Sequence, residues 1–280
     1  MMIQNRDQTL SMQALCELLD VSESGYYAWC NRDGSMHQQE DAALGEQIER
    51  IFRTSRNTYG SDRIHKALRK QHIHTSRKRV ARLMRERGLR SVRVKNRRFS
   101  LTKSGQNAFI VPNLLEQDFS TTGMNQKWVT DTTYIPTREG WLYLVSVVDL
   151  YSRQVVGWAM GDHHDAQLAT SALQMALLHQ RPPAGLILHS DRGSEFANAR
   201  FHQQANDARI HLSMSAKGNC FDNAVAESFF ATLKLEAVQG QVYDTKQAAR
   251  QHLFDFIEVF YNRQRLHSSI DYRCPIECAA

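Results

Sequence analysis

Apolar positions along this chain follow two different periods, and the change from one to the other falls near residue 128. Upstream the spacing is helical. In 11–29, SMQALCELLDVSESGYYAW, the residues Met12, Leu15, Cys16 and Leu19 fall at i, i+3, i+4 and i+7, the spacing of one buried helix face. Asp20-Val21-Ser22 breaks the pattern, and Ser22 is placed to cap a second short helix carrying Tyr26, Tyr27 and Trp29. That is the shape of a helix-turn-helix. A second pair is predicted over 58–88. Tyr59-Gly60-Ser61-Asp62 makes a turn with a cap, Ile64 and Leu68 mark a buried face, and Thr75 or Ser76 opens SRKRVARLMRERG, closed by Gly88. On this last helix Val80, Leu83 and Met84 share one face, while Lys78, Arg82 and Arg85 gather on the other.

Downstream of 128 the runs WVTDTTYIP, WLYLVSVVDLY and QVVGWAM are β-branched and aromatic, separated by turn residues such as Arg138-Glu139-Gly140. A helix from Asp165 to about His179, the apolar strand LILHS, a helix near 197–207, a short strand HLSMS and helices over 222–238 and 245–262 follow. Three hairpin-spaced strands and then alternating helix and strand predict an α/β fold with a mixed sheet, preceded by all-α modules. Trp128, Trp141 and Trp158 are expected in its core. No repeat of solenoid period occurs.

Composition narrows the class. The 280 residues are 42% hydrophobic and 23% charged, which excludes disordered and collagen-like chains. At about 150 residues per domain two domains are expected. No apolar run approaches the roughly 20 residues that cross a bilayer, and MMIQNRDQTL lacks the apolar core of a secretory signal, so a cytoplasmic protein with no membrane partner is expected. The five cysteines are scattered without a CxxC pair, which fits reduced thiols rather than a disulfide framework or zinc site. Charge is uneven: residues 1–127 hold 22 Lys or Arg against 13 Asp or Glu, and 128–280 hold 13 against 16. Within 61–103 there are 16 basic residues and only two acidic ones, Asp62 and Glu86, so a basic helix face with few acidic partners is expected to meet a polyanion. Lys78, Arg82 and Arg85 are the candidate DNA contacts.

Three carboxylates occupy unusual places. Asp131 interrupts an apolar strand, where an ionised carboxylate is costly without a cation or donors. Asp191 stands at the carboxyl end of LILHS, where open α/β sheets bind ligands. Glu227 lies on a helix placed to be capped by Asp222, projecting away from the stripe Val225, Phe229 and Leu233, and Lys234 returns within about 20° of it on the 3.6-residue period. Three carboxylates with pKa values near 4 carry about −3 at neutral pH and repel DNA unless divalent cations fill the site. Magnesium suits such oxygen donors, and two ions can activate the attacking oxygen and stabilise the leaving oxygen at phosphorus.

The local wording is more specific than the order of the acids. TDTTYI at Asp131, HSDRGSEF at Asp191 and KGNCFDNAVAESFFATLK through Glu227 to Lys234 resemble the DDE transposases of bacterial insertion sequences, in particular the second-reading-frame protein (OrfB) of the IS-three type. Thirty-five residues separate Asp191 from Glu227, the spacing of the family motif, and YNRQRLHSSIDYRCP resembles its closing motif. YGSDRIHKAL and RKRVARLMRERGL resemble its helix-turn-helix region, while Phe221 stands where Tyr is frequent. The resemblance implies a ribonuclease-H-like fold and catalytic, metal-holding roles for Asp131, Asp191 and Glu227, with two Mg²⁺ or Mn²⁺ ions. Lys234 and Asn223 would orient DNA or the metal shell. It implies hydrolysis at an element end to free a 3′-OH, attack of that 3′-OH on a target strand, an upstream-frame partner (OrfA) that can be fused by frameshifting, and assembly of copies on double-stranded DNA ends. The expected organisation is a helix-turn-helix-like region over 1–55, a second, basic one over 56–100, a basic linker over 101–126 and an integrase-type catalytic core over 127–280.

Two other readings stay open at this level. His189-Ser190-Asp191-Arg192 fits the HxxR of tyrosine recombinases, although position 221 is Phe and the next tyrosine is Tyr243. The helical pairs also suit a DNA-binding regulator with an inactive core. His163, His164 and His211 lack ligand-like spacing with a carboxylate and are expected to be surface or core histidines.

Overall fold

The computed structural model describes residues 11–30, 35–92, 109–216 and 224–279. The helical part begins with α1 (Met12–Leu18) and α2 (Glu23–Cys30), where the Ser22 hydroxyl accepts from the Gly25 amide at 3.1 Å, the expected cap. Cys16 is buried, but Leu19 is 42% exposed and Trp29 57% exposed. Two short helices cannot close a core by themselves, and of the face read as buried Met12 and Leu15 are half-buried and Leu19 is open. α3 (Met36–Thr54) starts with a reciprocal capping box between Ser35 and Gln38. It buries Leu44, Ile48, Ile51 and Phe52 on α4 (Ser61–Lys70) and α5 (Arg77–Glu86). Ile64, Leu68 and Val80 are fully buried there, as their spacing predicts, and Ser76 caps α5.

The core is a five-stranded sheet of order β3-β2-β1-β4-β5, built from β1 (Lys127–Thr137), β2 (Gly140–Asp149), β3 (Val155–Gly161), β4 (Ile187–Ser190) and β5 (His211–Met214). β1 to β3 run antiparallel as a meander, whereas β4 joins the other edge of β1 in parallel and β5 follows it in parallel. This is the mixed sheet of the ribonuclease-H-like class. Alternation at period two divides the side chains: Val129, Leu142, Leu144 and Val148 enter one hydrophobic cluster, Trp128, Val145 and Val147 the other. α6 (Ala166–Gln180), capped by Asp165, and α7 (Ala199–Asp207) cover the second face. α6 lies so close to β3 that a Cβ on Gly157 would stand 2.4 Å from the Ala172 carbonyl oxygen, which explains glycine inside that strand.

The first face is covered by α8 (Ala224–Leu233) and α9 (Lys246–Phe254), each continuing as wide, π-type turns over 234–238 and 255–261. A 3₁₀ turn (Ser268–Ile270) and α10 (Pro275–Ala279) end the described chain. Trp128 is buried and Trp158 partly so, but Trp141 is 49% exposed at the β1–β2 turn, lying edge-on to Tyr134. The expected linker over 101–126 lies outside the described residues up to 108. From there the chain runs along the core, with Leu115 1% exposed and the Leu114 amide donating to Ser213 Oγ at 2.8 Å.

The helical unit is fastened to the far end of the chain. Tyr59 Oη donates to the Gln264 carbonyl at 3.2 Å and accepts from the Leu266 amide at 2.7 Å. Arg56 pairs with Asp255 and lies 4.8 Å from the Phe260 ring centroid, and Lys70 meets Glu277 at 2.7 Å. Beneath these contacts Arg265 forms two 2.7 Å hydrogen bonds with Glu236, which Arg63 also approaches at 3.5 Å.

Candidate active site

β1 and β4 are adjacent parallel strands with Val129 opposite His189. Asp131 and Asp191 each come two residues after that pair, so the register brings both to one end of the sheet and onto one face. α8 lies on the same face, burying Ala226, Phe229, Phe230 and Leu233 and leaving Glu227 on its exposed side. Three carboxylates remote in sequence thus share one electric field. Burial pushes the Asp131 carboxyl well above the usual carboxylate range, and Asp191, Glu195 and Glu227 push it further; the Thr132 amide, donating at 2.7 Å, opposes them. Burial likewise raises Asp191, with Glu195 and Glu227 adding to the rise and the Gly193 amide, at 2.9 Å, and His164 opposing it. Burial also raises Glu227. Lys234 begins the wide turn after α8; its Nζ lies 5.1 Å from the Tyr134 ring centroid, and burial lowers its pKa while Asp131 pulls it back up.

Among the described residues no group of three or more His, Cys, Asp or Glu side chains stands close enough to hold a metal as placed. The chemistry of the donors nevertheless fits a hard divalent cation: all are carboxylate oxygens, and like-charge repulsion raises two of them. A further buried carboxylate oxygen beside them, Glu195 Oε2, has no hydrogen-bond partner among the described residues.

Sequence alone does not single out Glu195, and it assigns His164 to the surface or core, whereas the two meet beside the aspartates. Glu195 is 3% exposed, and its Oε1 accepts from Thr132 Oγ1 at 2.8 Å and lies 2.6 Å from His164 Nε2. Burial alone would raise the Glu195 carboxyl; the His164 and Thr132 hydrogen bonds outweigh it and hold the group below its ordinary range, while the same contact raises His164. Glu195 lies inside the HSDRGSEF motif, a usable signal. His164 is 31 positions away, and no local spacing announces the pair.

The other candidates separate. Asn223 and the expected cap Asp222 lie outside the described residues. Lys78, Arg82 and Arg85 are all exposed on α5. The expectation of few acidic partners does not hold for Arg82, which pairs with Asp41 of α3 and with Glu86; Asp41 also takes Arg79 at 2.6 Å. Asp41 comes from outside the basic stretch, where charge counting over 61–103 does not reach. Among the described residues Lys78 and Arg85 have no ion pair. His189 is fully buried, its ring nitrogens 2.8 Å from Ser213 Oγ and 3.0 Å from Ser215 Oγ, and Arg192 donates to the Ser215 carbonyl at 2.8 Å. This histidine binds β4 to β5, which removes the geometric basis of a tyrosine-recombinase reading.

Residues 121–220 and 208–275 match families described as integrase core domain, and residues 38–98 match an HTH-like domain. The chain is 42% identical over 261 residues to the insertion element IS600 uncharacterized 31 kDa protein of Shigella sonnei, covering 93% of this chain and 96% of that one. It is 41% identical over 269 residues to the transposase InsF for insertion sequence IS3A of Escherichia coli strain K12, covering 95% and 93%. Among solved structures, the HTLV-2 integrase catalytic core domain in complex with magnesium aligns at a TM-score of 0.45 and 15% identity, covering 57% of this chain and 100% of that one.

Proposed function

The chain belongs to the transposases of IS3-type insertion sequences, and we propose that within it Asp131, Asp191 and Glu227 are the catalytic carboxylates that hold the metal. The protein is a DDE-type polynucleotidyl transferase that binds DNA. The observation that carries the residue assignment is the register of β1 and β4, which sets Asp131 beside Asp191 in the field of Glu227. Two Mg²⁺ or Mn²⁺ ions held by these carboxylates would activate the attacking oxygen and stabilise the leaving oxygen at phosphorus.

The chain's own residues supply the rest. Lys234, kept beside Asp131 and over Tyr134, offers a cation to a phosphate at the cleft. Asn223, just before α8, would orient the DNA or the metal shell. Lys78, Arg82 and Arg85 supply the basic face that grips duplex phosphates. In the first step water attacks phosphorus at the element end, the bond to the 3′ oxygen breaks, and a 3′-OH is freed. In the second that 3′-OH attacks a target phosphodiester, forms the new ester and releases the target's own 3′ oxygen as a hydroxyl. No protein–DNA ester forms.

α3 packs on both α4 and α5, which supports treating them as one DNA-binding unit rather than dividing the chain at residue 55. No described helix is long and apolar enough to cross a membrane. We infer action in the cytoplasm, on double-stranded insertion-sequence ends, by several copies and with the upstream-frame protein OrfA as partner or fusion. A strand-transfer assay on the element's terminal repeats with Mg²⁺, Mn²⁺ or Ca²⁺ tests the assignment. Joining is expected with the first two ions and is abolished by Asp131→Asn or Asp191→Asn, with duplex binding retained. Joining by either variant, or a covalent protein–DNA adduct formed in EDTA, overturns it.

A further inference from the structure

Glu195 makes contacts that its pairing with His164 alone does not account for. A buried carboxylate is costly, and an apolar side chain would fill the same volume more cheaply. It is nevertheless kept ionised at 3% exposure, and its contacts run to both aspartate-bearing segments. On one side Glu195 Oε1 takes the Thr132 hydroxyl at 2.8 Å, and the amide of that same Thr132 donates to Asp131 Oδ1 at 2.7 Å. On the other side its carboxylate lies over Gly193, so that a Cβ there would stand 2.4 Å from Glu195 Oε2; the Gly193 amide donates to Asp191 Oδ1 at 2.9 Å. His164 Nε2 meets Glu195 Oε1 at 2.6 Å, and its ring stacks on Tyr143 of β2 at 13° between planes and 5.6 Å between centroids. The imidazole thereby fixes the direction in which Oε1 faces Thr132.

We propose that Glu195 is a positioning residue of the catalytic centre, clamping the Thr132–Asp131 segment of β1 to the Gly193–Asp191 turn so that the two aspartates present their free oxygens together to a divalent cation. This inference rests on the assignment of Asp131 and Asp191 above. Glu195 acts through Thr132 and Gly193, and glycine at 193 follows from it. The Glu195 carboxylate is held by two hydrogen bonds, so it cannot move aside for a methyl group without giving one up.

The test uses the full chain and measures strand transfer, with kcat and KM for DNA separated, beside calorimetric titration with Mn²⁺ alone. Glu195→Ala, Gly193→Ala and Thr132→Val are expected to lower kcat and Mn²⁺ affinity each by about 10- to 100-fold, the scale of losses from groups that orient metal ligands. KM for DNA should stay within about twofold, and Thr132→Ser, which keeps the hydroxyl, should restore both quantities. Folded Glu195→Ala and Thr132→Val proteins with unchanged kcat and Mn²⁺ affinity overturn the proposal. If Glu195→Ala unfolds, Thr132→Val against Thr132→Ser decides by the same readouts. Asp191→Asn run in parallel separates the two claims. If it still joins DNA, the site assignment itself falls; if it is inactive while the Glu195 and Thr132 variants behave as wild type, only the clamp falls.

Discussion

Where the helical unit meets the core, Glu236 and Arg265 are each 5% exposed and joined by two 2.7 Å hydrogen bonds. At the end of β1 and β4, Asp131 and Asp191 are half-buried, and the charges that bear most on them are other carboxylates. Both regions meet the cost of desolvating charge, and they answer it differently. The junction satisfies its charges internally, so it gains rigidity and has nothing left to bind with. The cleft leaves repulsion in place that His164 and Lys234 offset only in part, and a ligand of opposite charge would relieve the rest. A closed ion pair marks the structural junction, and carboxylates left facing one another mark the cleft.

The comparison breaks most visibly under substitutions that have opposite consequences in the two places. Glu227→Gln should lower strand joining about 10³-fold or more while leaving folding intact, because it removes a reacting-centre group from the exposed side of α8. Arg265→Met should do the reverse. It strands Glu236 without its bidentate partner, at a cost of about 3–5 kcal/mol. The fall in thermal midpoint should be about 2–4 °C for each kcal/mol in a chain of roughly this size. Scanning calorimetry beside the joining assay reads both effects. An unfolded Glu227→Gln, or an Arg265→Met as stable as the parent, would dissolve the contrast.

Two aspartates show how far the sequence could carry this distinction. Asp131 and Asp149 both interrupt apolar strand runs, and nothing in periodicity separates them. Asp149 is fully buried and accepts from the Asn125, Tyr151 and Ser152 amides and from the Ser152 hydroxyl, a closed set that fixes the turn after β2. Asp131 has one amide and a field of carboxylates. Only the motif wording around Asp131, Asp191 and Glu227 distinguished the two in advance. Helices and strands were legible because period and caps are local, as at Ser22, Ser76 and Asp165. The openness of Leu19 and Trp141, the reach of Asp41 to Arg82 and the meeting of His164 with Glu195 all depend on packing between distant segments, which no local window contains.

The paired region contains one side chain, His267, that titrates near neutral pH only when the chain is unfolded. His267 is 8% exposed, and its ring nitrogens lie 3.3 and 3.4 Å from Arg265 Nη1. Burial pushes its pKa down to about 2, and Arg265, Arg63 and Arg153 push in the same direction. A histidine whose folded-state pKa lies below its unfolded value of about 6.5 stabilises fully above that pH and loses its contribution as the pH falls beneath it. Unfolding free energy should therefore drop by up to about 1.4 kcal/mol per pH unit below 6.5 from this residue alone. His267→Gln should remove that part of the slope, as denaturant melts at pH 7, 6 and 5 would show. An unchanged slope would mean that the junction does not hold His267 neutral.

The smallest effect concerns α5, where paired and unpaired cations share one helix. Lys78 and Arg85 have no ion pair among the described residues, whereas Arg82 is shared between Asp41 and Glu86. A free cation releases counterions when it meets a phosphate; one already held by carboxylates must first give them up. Lys78→Ala and Arg85→Ala are each expected to weaken duplex binding a few-fold and to lower the slope of log affinity against log salt by about 0.9. Arg82→Ala should change that slope less. Asp41→Asn, which removes the one carboxylate that Arg79 and Arg82 share, should steepen it. Fluorescence anisotropy on a labelled duplex across a salt series measures all four variants. Equal slope changes for Arg82→Ala and Lys78→Ala would show that DNA displaces the Asp41 contacts without penalty, and that internal pairing on this helix does not set which cations the duplex uses.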